Sequence, residues 1–220
     1  MPTSPYQLLR TRVKICGFTQ TDDALYAASC GVDAIGLVFY PPSPRHVEIE
    51  QAHRIVSALP PFVTVVGLFV DAEQEQILDV LKRIPIDLLQ FHGEETPAYC
   101  RSFARPYIKA VRMRDDVNVQ SVAKEHAAAA GLLLDAYHPA AKGGTGSRFD
   151  WSRIPAQCDR PIILAGGLTA DNVRLALQTV GPYGLDVSSG VESAKGIKET
   201  MKMKAFLQKV QTFDSARRTD

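Results

Sequence analysis

Long apolar runs are missing from this chain: nothing in its 220 residues approaches the roughly 18 consecutive apolar side chains that a membrane helix needs. An excess of one charge is missing too. The net charge is +1, so no bulk field draws the chain to nucleic acid or to an anionic membrane, and an anionic ligand must be held by a local device. Cysteine is sparse, and Cys16, Cys30, Cys100 and Cys158 form neither a metal-ligand spacing nor a dense disulfide framework. The opening Met1-Pro2-Thr3-Ser4-Pro5-Tyr6 has no charged segment leading into an apolar one, so it does not read as a secretory leader. There is no dinucleotide-binding fingerprint. These absences point to a reduced, cytoplasmic setting with no metal and no cofactor.

What is present is an alternation. Apolar runs of strand length appear at about 12–16, 33–39, 63–70, 86–91, 106–111, 131–135, 161–165 and 183–187. Between them lie segments of helical periodicity, such as 22–30, 51–59, 73–84 and 172–180. Eight strands with eight helical partners, and no linker or break in composition, predict one α/β domain over 1–220, a closed (β/α)8 barrel. A short extension of about 1–11 precedes the first strand. Thr19 with Asp22, Asp71 with Gln74, and Thr169 are expected to start helices, and Gly31 to end one.

In such a barrel the loops that follow the strands share one rim, where ligands bind. Cys16 closes the first strand and Asp135 the sixth, so a thiol and a carboxyl face one pocket. That pairing suits proton transfer, one group taking a proton and the other giving one. Gln90 and His92 share parity on strand four and point inward, either to a substrate or to another polar group. Arg45, on a proline-stiffened loop, has a fork suited to a carboxylate. Lys14 and Asp186 are expected to pair across the closure between strands one and eight. Gly166 and Gly167 after strand seven, with Ser188, Ser189 and Gly190 after strand eight, form a phosphate cradle of backbone N–H groups. The glycine-rich stretch around Gly144, in loop six (137–148), reads as a lid that excludes water.

Val13-Lys14-Ile15-Cys16-Gly17, Ser43-Pro44-Arg45, Leu89-Gln90-Phe91-His92-Gly93-Glu94, Leu132-Leu133-Leu134-Asp135, Gly143-Gly144-Thr145-Gly146 and Asp186-Val187-Ser188-Ser189-Gly190-Val191-Glu192 follow one another in this order. Together they resemble the phosphoribosylanthranilate isomerases of tryptophan biosynthesis across nearly the whole chain. The resemblance implies a (β/α)8 enzyme without cofactor that converts an anthranilate-bearing phosphosugar by an Amadori rearrangement. It implies that Asp135 is the general acid, Cys16 the general base and Arg45 the partner of the anthranilate carboxylate, with loops seven and eight on the phosphate. It leaves monomer and homodimer both open. Two competing readings are the related histidine-pathway sugar isomerase and a phosphosugar-sensing barrel. The first is expected to carry an aspartate where Cys16 stands, and the second needs neither proton carrier.

Overall fold

The computed structural model describes residues 10–136 and 150–217. Eight parallel strands close into a barrel in sequence order. They are β1 (Arg12–Cys16), β2 (Ala34–Val38), β3 (Thr64–Phe69), β4 (Leu88–Phe91), β5 (Tyr107–Arg112), β6 (Gly131–Asp135), β7 (Ile162–Leu164) and β8 (Gly184–Val187). Helices α1 (Thr21–Ser29), α2 (Ile49–Ala58), α3 (Gln74–Arg83), α4 (Pro97–Arg101) and α5 (Val119–Glu125) follow the first five strands, and α6 (Val173–Val180) and α7 (Thr200–Arg217) follow β7 and β8. A small antiparallel pair, β9 (Glu192–Ala194) with β10 (Ile197–Lys198), sits between β8 and α7.

The expected eighth helix does not appear in the described residues between β6 and β7, which hold only a 3-10 turn at Trp151–Arg153. Pro155 and Pro161 interrupt that segment and leave no run long enough for helical hydrogen bonding. Three cap expectations also change. The side chain of Thr19 bonds to the Gly196 carbonyl instead. Glu73, not Asp71, caps α3 through a reciprocal pairing with Gln76. Asn172 directly precedes α6, while Thr169 opens the turn before it, accepting the N–H of Asp171 on its hydroxyl and that of Val173 on its carbonyl. Gly31 does take the left-handed conformation after α1, with φ of 84°.

Register decides what faces inward. Cys16 pairs with Gly36, Leu68 with Gln90, Gln90 with Ile108, Ala110 with Leu133, Arg112 with Asp135, and Lys14 with Asp186. Side chains of paired residues lie on the same face of the sheet, so all of these face the barrel interior. Apolar residues among them, with Val38, Val70 and Ala165, fill the interior in two small clusters. The opposite faces of the strands pack against the helices in the main core around Ile15, Ile35, Phe91 and Leu164. At the far end of the barrel, Asp33 and Asp87 each accept a neighbouring strand's first free N–H, from Val13 at 2.9 Å and Val65 at 2.8 Å. Asp214 of α7 receives both the N–H and the hydroxyl of Thr11, tying the last helix to the start of β1. Stability devices thus gather at one end, leaving the other for ligands. Among the described residues no helix is long and apolar enough to cross a membrane.

Candidate active site

Cys16 is the last residue of β1 and is buried, at 5 % exposure. Its sulfur lies where β2 has no side chain. A Cβ built on Gly36 would come within 2.7 Å of Sγ and 3.0 Å of the Lys14 Nζ. Lys14 reaches across the closure to Asp186 at 2.8 Å, the pair that the strand order implied. Burial pushes the Cys16 thiol above its ordinary value, and the Lys14 ammonium offsets that only in part. Burial likewise raises the Asp186 carboxyl despite Lys14, with Asp135 adding to the rise and His92 opposing it. On Lys14 burial works against the ammonium, but Asp186 and Cys16 together outweigh it and hold its pKa up.

Asp135 ends β6 on the same rim, at 7 % exposure. One carboxylate oxygen accepts the following N–H, from Ala136, at 2.9 Å. The other lies 3.3 Å from Nε2 of His92, although Nε2 has no hydrogen bond of good geometry there. Gln90, fully buried, meets the other ring nitrogen of His92 at 3.0 Å. A Gln90 amide that donates to Nδ1 leaves the proton on Nε2, facing the carboxylate. Cys16, Lys14 and Asp186 thus form one polar group at the mouth of the barrel and Asp135, His92 and Gln90 another, and the charges of the second act on Asp186 in the first. The sequence brought Gln90 and His92 inward by parity, and the structure puts His92 on Asp135.

Arg45 is brought to the same rim, and its side chain lies along the end of β1. A Cβ on Gly17 would meet its Cδ at 2.5 Å, and Gly17 itself has φ of 82°, so glycine is required there twice over. The fork of Arg45 holds both oxygens of Glu192, at 2.8 and 2.7 Å. Neither Glu192 nor its second partner Lys198 was singled out from the sequence as a site residue. Arg112 was missed as well: it ends β5 beside Asp135 and donates to the carbonyl of His92 at 2.8 Å.

Loops seven and eight press together as adjacent loops should. A Cβ on Gly190 would be driven into the carbonyl oxygen of Leu168. Gly166 and Gly167 have φ of 81° and 62°, which frees their N–H groups to turn toward a ligand. No described residue accepts a backbone hydrogen bond from the N–H groups of Gly166, Gly167, Ser189 or Gly190. Backbone N–H groups that converge in such turns favour an anion. The Ser188 hydroxyl points elsewhere and donates to the carbonyl of Cys16 at 2.9 Å. Gly144 and the expected lid lie outside the described residues. The arrangement can hold a phosphate on one side, a carboxylate at Arg45, and a thiol and a carboxyl on opposite sides of whatever lies between.

Comparison with known proteins gives this geometry a family. Residues 13–209 match the family described as N-(5'phosphoribosyl)anthranilate (PRA) isomerase. An N-(5'-phosphoribosyl)anthranilate isomerase of Azotobacter vinelandii is 55 % identical over 199 residues, covering 90 % of this chain and 97 % of the relative. The crystal structure of phosphoribosyl anthranilate isomerase from Thermus thermophilus aligns with a TM-score of 0.83 at 35 % identity, covering 92 % of this chain and 99 % of its own. A further phosphoribosyl anthranilate isomerase, solved in complex with reduced 1-(o-carboxyphenylamino)-1-deoxyribulose 5-phosphate, aligns with a TM-score of 0.78 at 38 % identity and the same coverage.

Proposed function

This chain belongs to the N-(5'-phosphoribosyl)anthranilate isomerase family, and from that membership we propose that Cys16 and Asp135 divide the proton transfers of its reaction. The reaction is the isomerisation of N-(5-phosphoribosyl)anthranilate to 1-(2-carboxyphenylamino)-1-deoxyribulose 5-phosphate, an aldose-to-ketose step of tryptophan biosynthesis. Asp135 gives its proton to the ribose ring oxygen, and the C1–O bond breaks as the anthranilate nitrogen pushes in its electron pair. The product is an open-chain Schiff base. The Cys16 thiolate then removes the proton from C2, and the electron pair moves through C1 to the nitrogen, forming an enolamine. Proton gain at C1 and loss of the C2 hydroxyl proton give the ketone, so the step balances without any external oxidant or reductant.

The observation that supports this assignment is the pair of polar groups at the mouth: Lys14, held by Asp186, flanks the thiol, and His92 lies against Asp135. The acid and the base thus end different strands at one rim of the barrel. Gln90 and His92 orient the carboxyl, and the outer edge of Arg45 receives the anthranilate carboxylate. Gly166, Gly167, Ser189 and Gly190 offer N–H groups to the phosphate. Ser188 supports this cradle through its bond to the Cys16 carbonyl. The small-molecule phosphosugar bound to a relative matches the partner chemistry of this site. Four unpaired cysteines fit a reducing cytoplasm.

The test is the loss of anthranilate-derived fluorescence when purified protein meets ribose 5-phosphate coupled to anthranilate. Placed proton carriers contribute about 10²–10⁴-fold each. Cys16→Ser and Asp135→Asn should each lose turnover on that scale while still binding the reduced product analogue. Turnover that survives either change removes that residue from the mechanism.

A further inference from the structure

Arg45 meets the substrate with one edge already occupied. Its Nε and Nη2 donate to the two oxygens of Glu192, and the paired side chains are only 10 % and 5 % exposed. A guanidinium has five N–H donors in one plane, so a carboxylate on the Nε–Nη2 edge leaves the end formed by Nη1 and the second Nη2 hydrogen. No hydrogen bond to a described residue engages Nη1. Glu192 is gripped from its other side by Lys198, whose Nζ lies 2.8 Å from Oε1. The same Nζ donates to the Cys16 carbonyl at 2.6 Å and approaches the Ser188 carbonyl at 3.4 Å. With the Ser188 hydroxyl at 3.5 Å, four oxygens surround one nitrogen, partners enough for the three hydrogens of a protonated amine.

The charges decide what this cluster is for. Burial opposes the charge on Glu192, yet Arg45 and Lys198 outweigh it and hold its carboxyl below the usual glutamate range. Glu192 is shared between Arg45 and Lys198; burial lowers the Lys198 pKa even so, and the donors of Arg45 that Glu192 leaves open lie at its outer edge. Buried ionic clusters seldom add stability over apolar side chains of equal volume, but they do fix geometry. Here the geometry fixed is twofold, since Lys198 ties the arginine's clamp to the backbone of Cys16.

We propose that Glu192 and Lys198 are positioning residues that hold Arg45 with its outer edge toward the substrate's aromatic carboxylate, so that one network sets both carboxylate recognition and the placement of the thiol. This rests on the assignment of Arg45 under the proposed function. The readout is calorimetric affinity for the reduced product analogue and for its counterpart lacking the ring carboxyl, in wild type and Glu192→Gln. The glutamine keeps the volume but offers one acceptor and no charge. In wild type, deleting the carboxyl should weaken binding roughly 10–100-fold, the range for hydrogen bonds to charged groups. In Glu192→Gln that preference should shrink severalfold or more, with affinity for the carboxyl-free analogue unchanged. A structural role alone would weaken both ligands alike, and that result overturns the proposal. So does an undiminished preference. If Glu192→Gln fails to fold, Glu192→Asp, which keeps the charge but loses reach to one N–H, carries the same comparison with the same two outcomes. A wild type with no preference for the carboxyl overturns the Arg45 assignment and this proposal with it; a wild-type preference that survives the substitution overturns this proposal alone.

Discussion

Gly36→Ala should impair catalysis without replacing any proton carrier. Gly36 has no positive φ, so alanine meets no backbone penalty and even restricts the unfolded chain slightly in its favour. The obstacle is space. The added methyl would stand 2.7 Å from Cys16 Sγ, 3.0 Å from the Cys16 Cα and 3.0 Å from Lys14 Nζ. Carbon-centred contacts prefer about 3.5–4.0 Å, so the neighbours must retreat by roughly 1 Å. The sulfur can do so only by leaving its rotamer or by moving β1, at about 0.5–1.5 kcal/mol for a turn of some 30°. Lys14 must also loosen its 2.8 Å contact with Asp186. Overpacking of this kind costs about 1–3 kcal/mol in stability, and a displacement near 1 Å costs about 10²-fold in rate. Urea unfolding and the fluorescence assay read the two effects separately. A variant with wild-type kcat/KM would show that the thiol does not need the place that Gly36 leaves for it.

Three further outcomes follow from the same geometry. Lys14→Met should leave the Asp186 carboxyl buried without its partner and lower stability by about 3–5 kcal/mol, measured as a shift in the urea midpoint. Because the Cys16 pKa is raised by burial, the thiolate forms only toward alkaline pH. The thiolate absorbance that wild type shows and Cys16→Ser lacks should therefore rise with pH and keep rising beyond the ordinary thiol value of about 8.5; a difference already complete below that value would contradict the effect of burial on the thiol. Gly190→Ala, which drives a methyl into the Leu168 carbonyl, should separate loops seven and eight and weaken inhibition by inorganic phosphate more than it changes the unfolding midpoint.

Much of this site is legible from the chain itself, because a parallel barrel converts one-dimensional pattern into position. Cys16 and Asp135 each end an apolar run, and closure in sequence order puts all such ends on one rim. The same closure makes β8 the neighbour of β1, which is why Lys14 and Asp186 could be paired across 172 residues. Parity sufficed for Gln90 and His92. What was not legible depends on contacts that no local pattern encodes. Glu192 meets Arg45 across 147 residues, and the loop that carries Lys198 reads only as polar chain until β9 and β10 fold it back under β1. Asp71 looked like a helix cap because its residue type fits one, but a competing acceptor role wins: its carboxylate takes the N–H of Glu94 at 2.6 Å, and Glu73 caps α3 instead. Ser188 was expected in the phosphate cradle through its backbone, and the sequence carried no sign that its hydroxyl would bond to the Cys16 carbonyl. Gly166 and Gly167 were chosen for backbone freedom, and both have positive φ.

The most direct measurement of the division between acid and base is the deuterium isotope effect on turnover of substrate labelled at ribose C2, compared between Cys16→Ser and Asp135→Asn. With the base crippled, removal of the C2 hydrogen becomes the slow step and a full primary effect should appear. With the acid crippled, ring opening becomes slow and the effect should vanish. A primary effect in Asp135→Asn together with none in Cys16→Ser would show that the two residues do not hold these roles.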